Sequence, residues 1–251
     1  MCFIDLNCDL GESFGAYKIG MDEQVVPHIT SANVACGFHA GDPMVMQHTV
    51  ELCKKYNVGI GAHPGYLDLQ GFGRRNMKIS NEEAEADIIY QVGALKAFCK
   101  SAGVPLHHVK PHGALYNMAG KDYDLAMAIC RGIRAVDPNL KILALSGSCM
   151  IRAAEEIGLD AVSEVFADRA YQADGSLVPR TQPGSMITDE EEAIARVVRM
   201  AKTGTVTAID GTEVLLCADS VCVHGDGEKA LMFVLKIREA LKNAGVEVRR
   251  F

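Results

Sequence analysis

Short apolar runs alternate with longer stretches of helical periodicity along the chain. Strand-like runs fall at Cys2–Leu6, Ser31–Ala35, Val58–Ala62, His107–Lys110, Lys141–Leu145, Ala161–Val165 and Ser220–Val223. Helix-like stretches separate them. Pro43–Tyr56 begins with Asp42 as a cap and Pro43 at the first helical position. Asn81–Ala102 opens with Ser80 and Glu83, the two residues of a capping box. The others are Asp122–Val136, Ser148–Ile157, Asp189–Lys202 and Glu228–Ala244. Gly103, Gly158, Gly204 and Gly245 each fall where a helix should stop.

Strands that alternate with helices in this way form βαβ units and a parallel sheet. Polar residues recur at the C-terminal end of nearly every strand, and a closed barrel gathers those ends around one mouth. The pattern therefore predicts an α/β fold, a seven-stranded (β/α) barrel, as one domain over residues 1–251. An open doubly wound sheet is the alternative. Val206–Ala218 breaks the rhythm, with two β-rich segments flanking the turn signal Asp210-Gly211. It is expected to form a hairpin on the rim.

Composition narrows the function classes. A length of 251 residues suits one barrel, and 49% hydrophobic with 23% charged residues is an ordinary globular mixture. The net charge is −7 and the 25 Lys and Arg are scattered, so no phosphate-tracking surface and no nucleic-acid partner is expected. The nine Cys include no CxxC pair. Cys8, Cys36, Cys217 and Cys222 lie in or beside apolar runs, which suits a reduced, cytoplasmic chain. Met1–Leu10 has no basic start and carries two Asp, unlike a signal peptide. No apolar run reaches the ~18 residues of a membrane span. Self-association is left open.

The candidate chemistry sits at the strand ends. Asp5, Asn7 and Asp9 alternate with Leu6, Cys8 and Leu10, so period two places the polar three on one face. Leu10 stands where a calcium loop would need Gly, so an EF-hand is excluded. Asp9 and Glu12 put two carboxylates at the mouth, inviting a metal or an acid–base role. His39 and His63 end the second and third strands among glycines. With Asp9 they form a candidate divalent-metal set, against the plainer reading of structural histidines. Lys110 and His112 share a face at the end of the fourth strand. A Lys there either stabilises reaction charge or pairs structurally with Asp5 or Asp9. Glu164, Asp168, Arg169, His224 and Asp226 add to the same rim. Two long loops, Gly65–Ile79 and Ala170–Thr188, carry Arg74 and Arg180, which could hold a substrate carboxylate or be ordinary surface arginines.

Several signatures are missing: GxxxxGK[ST], GxSxG and HExxH. A relaxed GxGxxA occurs at Gly225–Ala230, but on the last strand, with no following βαβ unit to hold a dinucleotide.

Six segments together resemble the LamB/YcsF family. They are Asp5–Glu12, Ala35–Asp42, Gly61–Gly65, Val109–Tyr116, Glu164–Arg169 and Cys222–Asp226, and the resemblance runs from about Asp5 to Val246. It implies a seven-stranded barrel similar to those of glycoside hydrolases and polysaccharide deacetylases. It also implies the A subunit of a prokaryotic 5-oxoprolinase, a hydrolase of a cyclic amide that works with separate B and C subunits. ATP would be the co-substrate of that complex, because phosphorylating the lactam oxygen creates a leaving group. On this reading Asp9, Glu12, Lys110, His112 and Asp168 are the catalytic candidates. Asn7, Arg74, Arg169, His224 and Asp226 are the substrate-binding candidates, and Asp9, His39 and His63 the metal candidates. Two other classes fit the residues: a free-standing metal-dependent amide or N-acetyl hydrolase, and a non-catalytic subunit that binds a small carboxylate.

Overall fold

The computed structural model describes residues 2–223 and 228–251. The strands are β1 (Phe3–Leu10), β2 (Ser31–Ala35), β3 (Gly59–His63), β4 (Leu106–Val109), β5 (Lys141–Leu145), β6 (Ala161–Phe166), β7 (Thr205–Thr207), β8 (Glu213–Leu215), β9 (Ser220–Cys222) and β10 (Glu247–Val248). The helices are α1 (Asp22–Val25), α2 (Pro43–Lys55), α3 (Asn81–Ala102), α4 (Gly113–Ala119), α5 (Tyr123–Val136), α6 (Cys149–Ile157), α7 (Glu190–Thr203) and α8 (Glu228–Asn243).

Strands β1 to β6 pair in sequence order, β9 follows β6, and β9 pairs back to β1. All of these ladders are parallel, so the sheet closes into the seven-stranded barrel that the alternation predicts. Strand β10 extends the N-terminal end of β1. The β7–β8 hairpin is antiparallel and stands apart from the barrel. Its turn touches the loop after β6, where the Ile209 amide donates to the Tyr171 carbonyl at 2.9 Å.

The local signals explain the ends of the elements. The Asp42 carboxylate accepts from the Met44 and Val45 amides, capping α2. Ser80 and Glu83 complete both bonds of the capping box on α3. Strand β1 runs four residues beyond the predicted Leu6, because its ladder with β2 continues through Leu10. Helices α1 and α4 and strand β10 were not expected. They are short, and α4 opens inside the polar segment after β4.

Registration fixes which side chains enter the barrel. Asp5, Asn7 and Asp9 of β1 face Ser220, Ser31 and Asn33, while Ile4, Leu6, Cys8 and Leu10 point out to the helix layer and are buried there. The hydrophobic core is therefore mainly the annulus between strands and helices. Towards β1 to β4 and β9 the barrel's own interior is polar. No described helix is long and apolar enough to cross a membrane. All nine Cys are free thiols.

Candidate active site

The polar interior leads up to the mouth through a directed set of hydrogen bonds. At the floor Asp5 accepts from Thr30 Oγ1 at 2.6 Å, from Ser31 Oγ at 2.7 Å and from Ser220 Oγ. Burial outweighs these hydroxyls and pushes its carboxyl up to about 6. Asn7 Nδ2 donates to Ser220 Oγ at 2.8 Å. Asn33 Nδ2 donates to Asn7 Oδ1 at 2.8 Å and to Asp9 Oδ1 at 2.9 Å.

Lys110 lies just beyond β4 and points into the barrel. Its Nζ is 2.7 Å from Glu164 Oε1 and 3.1 Å from Asp9 Oδ1. It also donates to Asn7 Oδ1 at 3.1 Å and to Cys222 Sγ at 3.2 Å. Lys110 is 3% exposed and Glu164 0%. Burial opposes the ammonium, but Asp9, Cys222 and Glu164 outweigh it and hold the Lys110 pKa well above its ordinary value. Of the two structural partners expected for Lys110, Asp9 is present and Asp5 is not. Glu164 takes that place, and its other oxygen accepts from Tyr116 Oη at 2.7 Å.

Four residues above Lys110 form a tight group. Glu12, His39, His63 and His112 each bring one ligand atom within 4.8 Å of the others. Asp9 borders this group through His63, with Oδ2 at 3.3 Å from Nε2. Two backbone carbonyls set the histidine tautomers. His63 Nδ1 is 2.7 Å from the Lys110 carbonyl and His112 Nε2 is 2.8 Å from the Phe72 carbonyl, so both of these nitrogens donate. The opposite nitrogens, His63 Nε2 and His112 Nδ1, then face one another at 2.9 Å. With both rings neutral, two lone pairs point at each other beside two carboxylates. A shared proton or a cation relieves that repulsion. Burial, with His63 next, drives the His112 pKa down to about 3, which favours the neutral ring that a metal requires.

His39 is placed differently. Its ring stacks on His112 at 3.7 Å, and its Nε2 is 3.3 Å from Glu12 Oε1. Its Nδ1 is buried with no hydrogen-bond partner among the described residues. A ligating histidine ordinarily donates its other N–H to an acceptor. His63 and His112 meet that condition and His39 does not. Burial, with His112 next, holds the His39 pKa well below its ordinary value.

The Gly65–Ile79 loop walls this group. Phe72 sits at φ +54, in the left-handed region, which turns its carbonyl onto His112 and its ring edge-on to His39 and His112. The loop is braced by Asp68, which accepts from Arg75 and from the Gly71 amide. Arg74 is exposed over the Phe72 ring, 5.2 Å from its centroid. Arg169 is buried and donates to the Val178 carbonyl at 2.7 Å, tying down its own loop. Asp168 is half-buried, and its carbonyl accepts from the Ile187 amide at 2.9 Å. His224 and Asp226 lie outside the described residues.

The structure thus brings Asn7, Asp9, Glu12, His39, His63, Lys110 and His112 together. Glu164 stands beside Lys110 although the candidate roles omitted it. Asn33 and His108 were missed altogether. His108 had a signal, since period two through Lys110 and His112 reaches it. Asn33 had none, being one polar residue in the short run Ser31–Ala35.

Residues 4–251 match the model of the LamB/YcsF family. A Clostridium beijerinckii protein, named as the A subunit of 5-oxoprolinase, is 60% identical over 98% of this chain and 96% of its own length. A Bacillus subtilis protein of the same name is 56% identical over 98% of this chain and 95% of its own length. The crystal structure of a lactam utilization protein from Thermus thermophilus superposes with a TM-score of 0.94 at 50% identity, covering 99% of this chain and all of the other.

Proposed function

The chain belongs to the LamB/YcsF family, and on that premise we propose that it is the A subunit of an ATP-dependent 5-oxoprolinase. With B and C subunits it would open 5-oxo-L-proline to L-glutamate while ATP becomes ADP and phosphate, in a reduced cytoplasmic setting. The observation that carries this reading is near-full-length identity of 54–60% to relatives that bear the name of that same 5-oxoprolinase component. An unstrained lactam is a poor electrophile, and the chain has no P-loop, so activation by a partner suits its residues.

In this reading Lys110 places a permanent cation where charge develops on a carbonyl or phosphoryl oxygen. Asp9 stands 3.3 Å from His63 and 3.1 Å from Lys110, where it can orient water and take its proton. Glu12 and His39 form a second acid–base pair beside the His112 ring, with Glu12 Oε1 3.7 Å from His112 Nδ1. Phe72 and the loop around it keep bulk water from the reacting bond. Arg74 and Arg180, one from each long loop, would hold the substrate carboxylate. Asp168 and Arg169 hold the second of these loops in place.

A divalent metal also fits. His63, His112, Asp9 and Glu12 would hold it, because both histidines are tautomerically fixed with their lone pairs converging on carboxylates. Such an ion polarises a bound oxygen and acidifies bound water. This observation also favours the second reading, a metal-dependent amide hydrolase that works alone.

Reconstitution separates the two. Glutamate formation from 5-oxoproline is expected only when this chain, the B and C subunits and ATP are all present. Ring opening by the isolated chain without ATP, stopped by a chelator, would overturn the reading as one component of a complex.

A further inference from the structure

His108 is fully buried inside the barrel, below the mouth. It occupies space that β3 leaves open, since a Cβ on Gly61 would come within 2.1 Å of His108 Nε2. That nitrogen is 2.8 Å from Asn33 Oδ1. The direction of this bond is fixed from above. Asn33 Nδ2 faces Asp9 Oδ1 at 2.9 Å, and an ionised carboxylate only accepts, so the amide nitrogen must be on that side. The Asn33 oxygen therefore faces His108, and His108 Nε2 carries the hydrogen. Below, His108 Nδ1 faces His107 Nδ1 at 3.2 Å. Burial holds the His108 ring neutral, so its Nδ1 is the bare nitrogen. A one-way chain of donors thus runs up the barrel from His108 through Asn33 to Asp9.

We propose that His108 is a positioning residue, which locks the Asn33 carboxamide so that its N–H groups hold Asp9 towards His63 and Lys110. Without the His108 hydrogen, the Asn33 oxygen loses its donor inside the barrel, and only the Asn7 and Asp9 side still holds the carboxamide. A carboxamide free to swing at that end would draw its N–H groups off Asp9 Oδ1 and Asn7 Oδ1. Asp9 would then turn away from one or both of its partners at the mouth. The catalytic consequence rests on the function proposed above. The geometric consequence does not.

Two amide substitutions of different reach distinguish positioning from mere filling. In His108→Gln the amide nitrogen takes the place of Nε2 and keeps the bond to Asn33. In His108→Asn the shorter amide reaches only the place of Nδ1, short of Asn33, and keeps only the contact with His107. A space-filling role also ranks H108Q above H108N, because Asn is a methylene shorter, but it acts on stability and leaves the His63 ring unmoved. The positioning role predicts that H108N lowers kcat of the reconstituted enzyme by about 10-fold, the lower end of the range for residues that orient a ligand, since His108 acts through Asn33. It predicts KM within about twofold, and recovery in H108Q to within about threefold of wild type. The second readout needs no turnover. Ring ¹⁵N shifts of His63 in the isolated chain should move in H108N, because Asp9 leaves His63 Nε2, and should stay put in H108Q. If no mixture turns over, the reaction is wrong and these shifts still decide the role of His108. Should H108N fail to fold, H108Q alone decides, since kcat and His63 shifts near wild type are then required. Equal behaviour of the two folded variants, or an H108N protein with unchanged kcat and His63 shifts, overturns the proposal.

Discussion

Replacing Lys110 by Met tests the site most directly, because Met fills the same space without the charge. Its Nζ lies 2.7 Å from Glu164 and 3.1 Å from Asp9, and neither Lys110 nor Glu164 reaches solvent appreciably. At an effective dielectric of ~20, these two contacts are worth about 6 and 5 kcal/mol of gross attraction. Desolvation offsets most of that, and removing one partner of a buried pair typically costs about 3–5 kcal/mol. The cost arises because Glu164 is left ionised in a dry barrel, or must take up a proton. Against a total stability of ~5–15 kcal/mol, K110M should lower the urea midpoint markedly. The double variant K110M/E164Q separates the two roles of the lysine. Gln at 164 removes the stranded charge while still accepting from Tyr116, so most of the lost stability should return. Turnover of the reconstituted enzyme should not return, remaining about 10²–10³-fold down for want of the cation. Urea unfolding and glutamate release on the same three proteins give both numbers. Turnover that recovers along with stability in the double variant would refute the catalytic role and leave Lys110 a structural cation. A stability loss under about 1 kcal/mol in K110M would refute the electrostatic reasoning itself.

Other consequences follow from the same geometry. The His112 pKa is depressed to about 3 in the folded chain, so the unfolded chain binds one more proton below its ordinary value of ~6.5. That part of the stability is present above pH 6.5 and is lost as pH falls towards 3. His112→Gln should reduce the slope of stability against pH in this window by up to about 1.4 kcal/mol per unit, read by denaturant unfolding at several pH values; an unchanged slope would show that His112 does not fold neutral. Zinc titrated calorimetrically into the isolated chain should bind, and His63→Asn or His112→Gln should weaken it far more than His39→Asn. Equal losses in all three would return His39 to the ligand set, and no binding by wild type would remove the metal altogether. Gly61→Ala should destabilise the fold by ~1–3 kcal/mol or more through overpacking against His108, whereas G61A combined with His108→Ala should recover part of that loss. A G61A chain as stable as wild type would mean that the barrel interior is less tightly filled than its distances imply.

How much of this was legible in the sequence depends on the range of the interaction concerned. Alternation and caps are local, so Asp42 with Pro43, the Ser80–Glu83 box and the stopping glycines placed the long helices to within about a residue. Counting strands and helices then led to a closed parallel barrel, because a βαβ series leaves few other topologies. Period two in β1 put Asp5, Asn7 and Asp9 on one face, and the strand ends carrying His39, His63 and Lys110 pointed to one mouth. Sequence could not say what those groups pair with once there. Barrel closure brings β6 and β9 against β1, and only that registration set Glu164, rather than Asp5, against Lys110. The histidine roles were equally hidden. They rest on the carbonyls of Lys110 and Phe72, and every residue carries a carbonyl, so no pattern of side chains reveals which one a fold will aim at an imidazole. Asn33 and His108 became significant through a vacancy, the missing side chain of Gly61 on the strand between them. A sequence records what each position carries, and only packing decides which neighbour uses the space a glycine leaves.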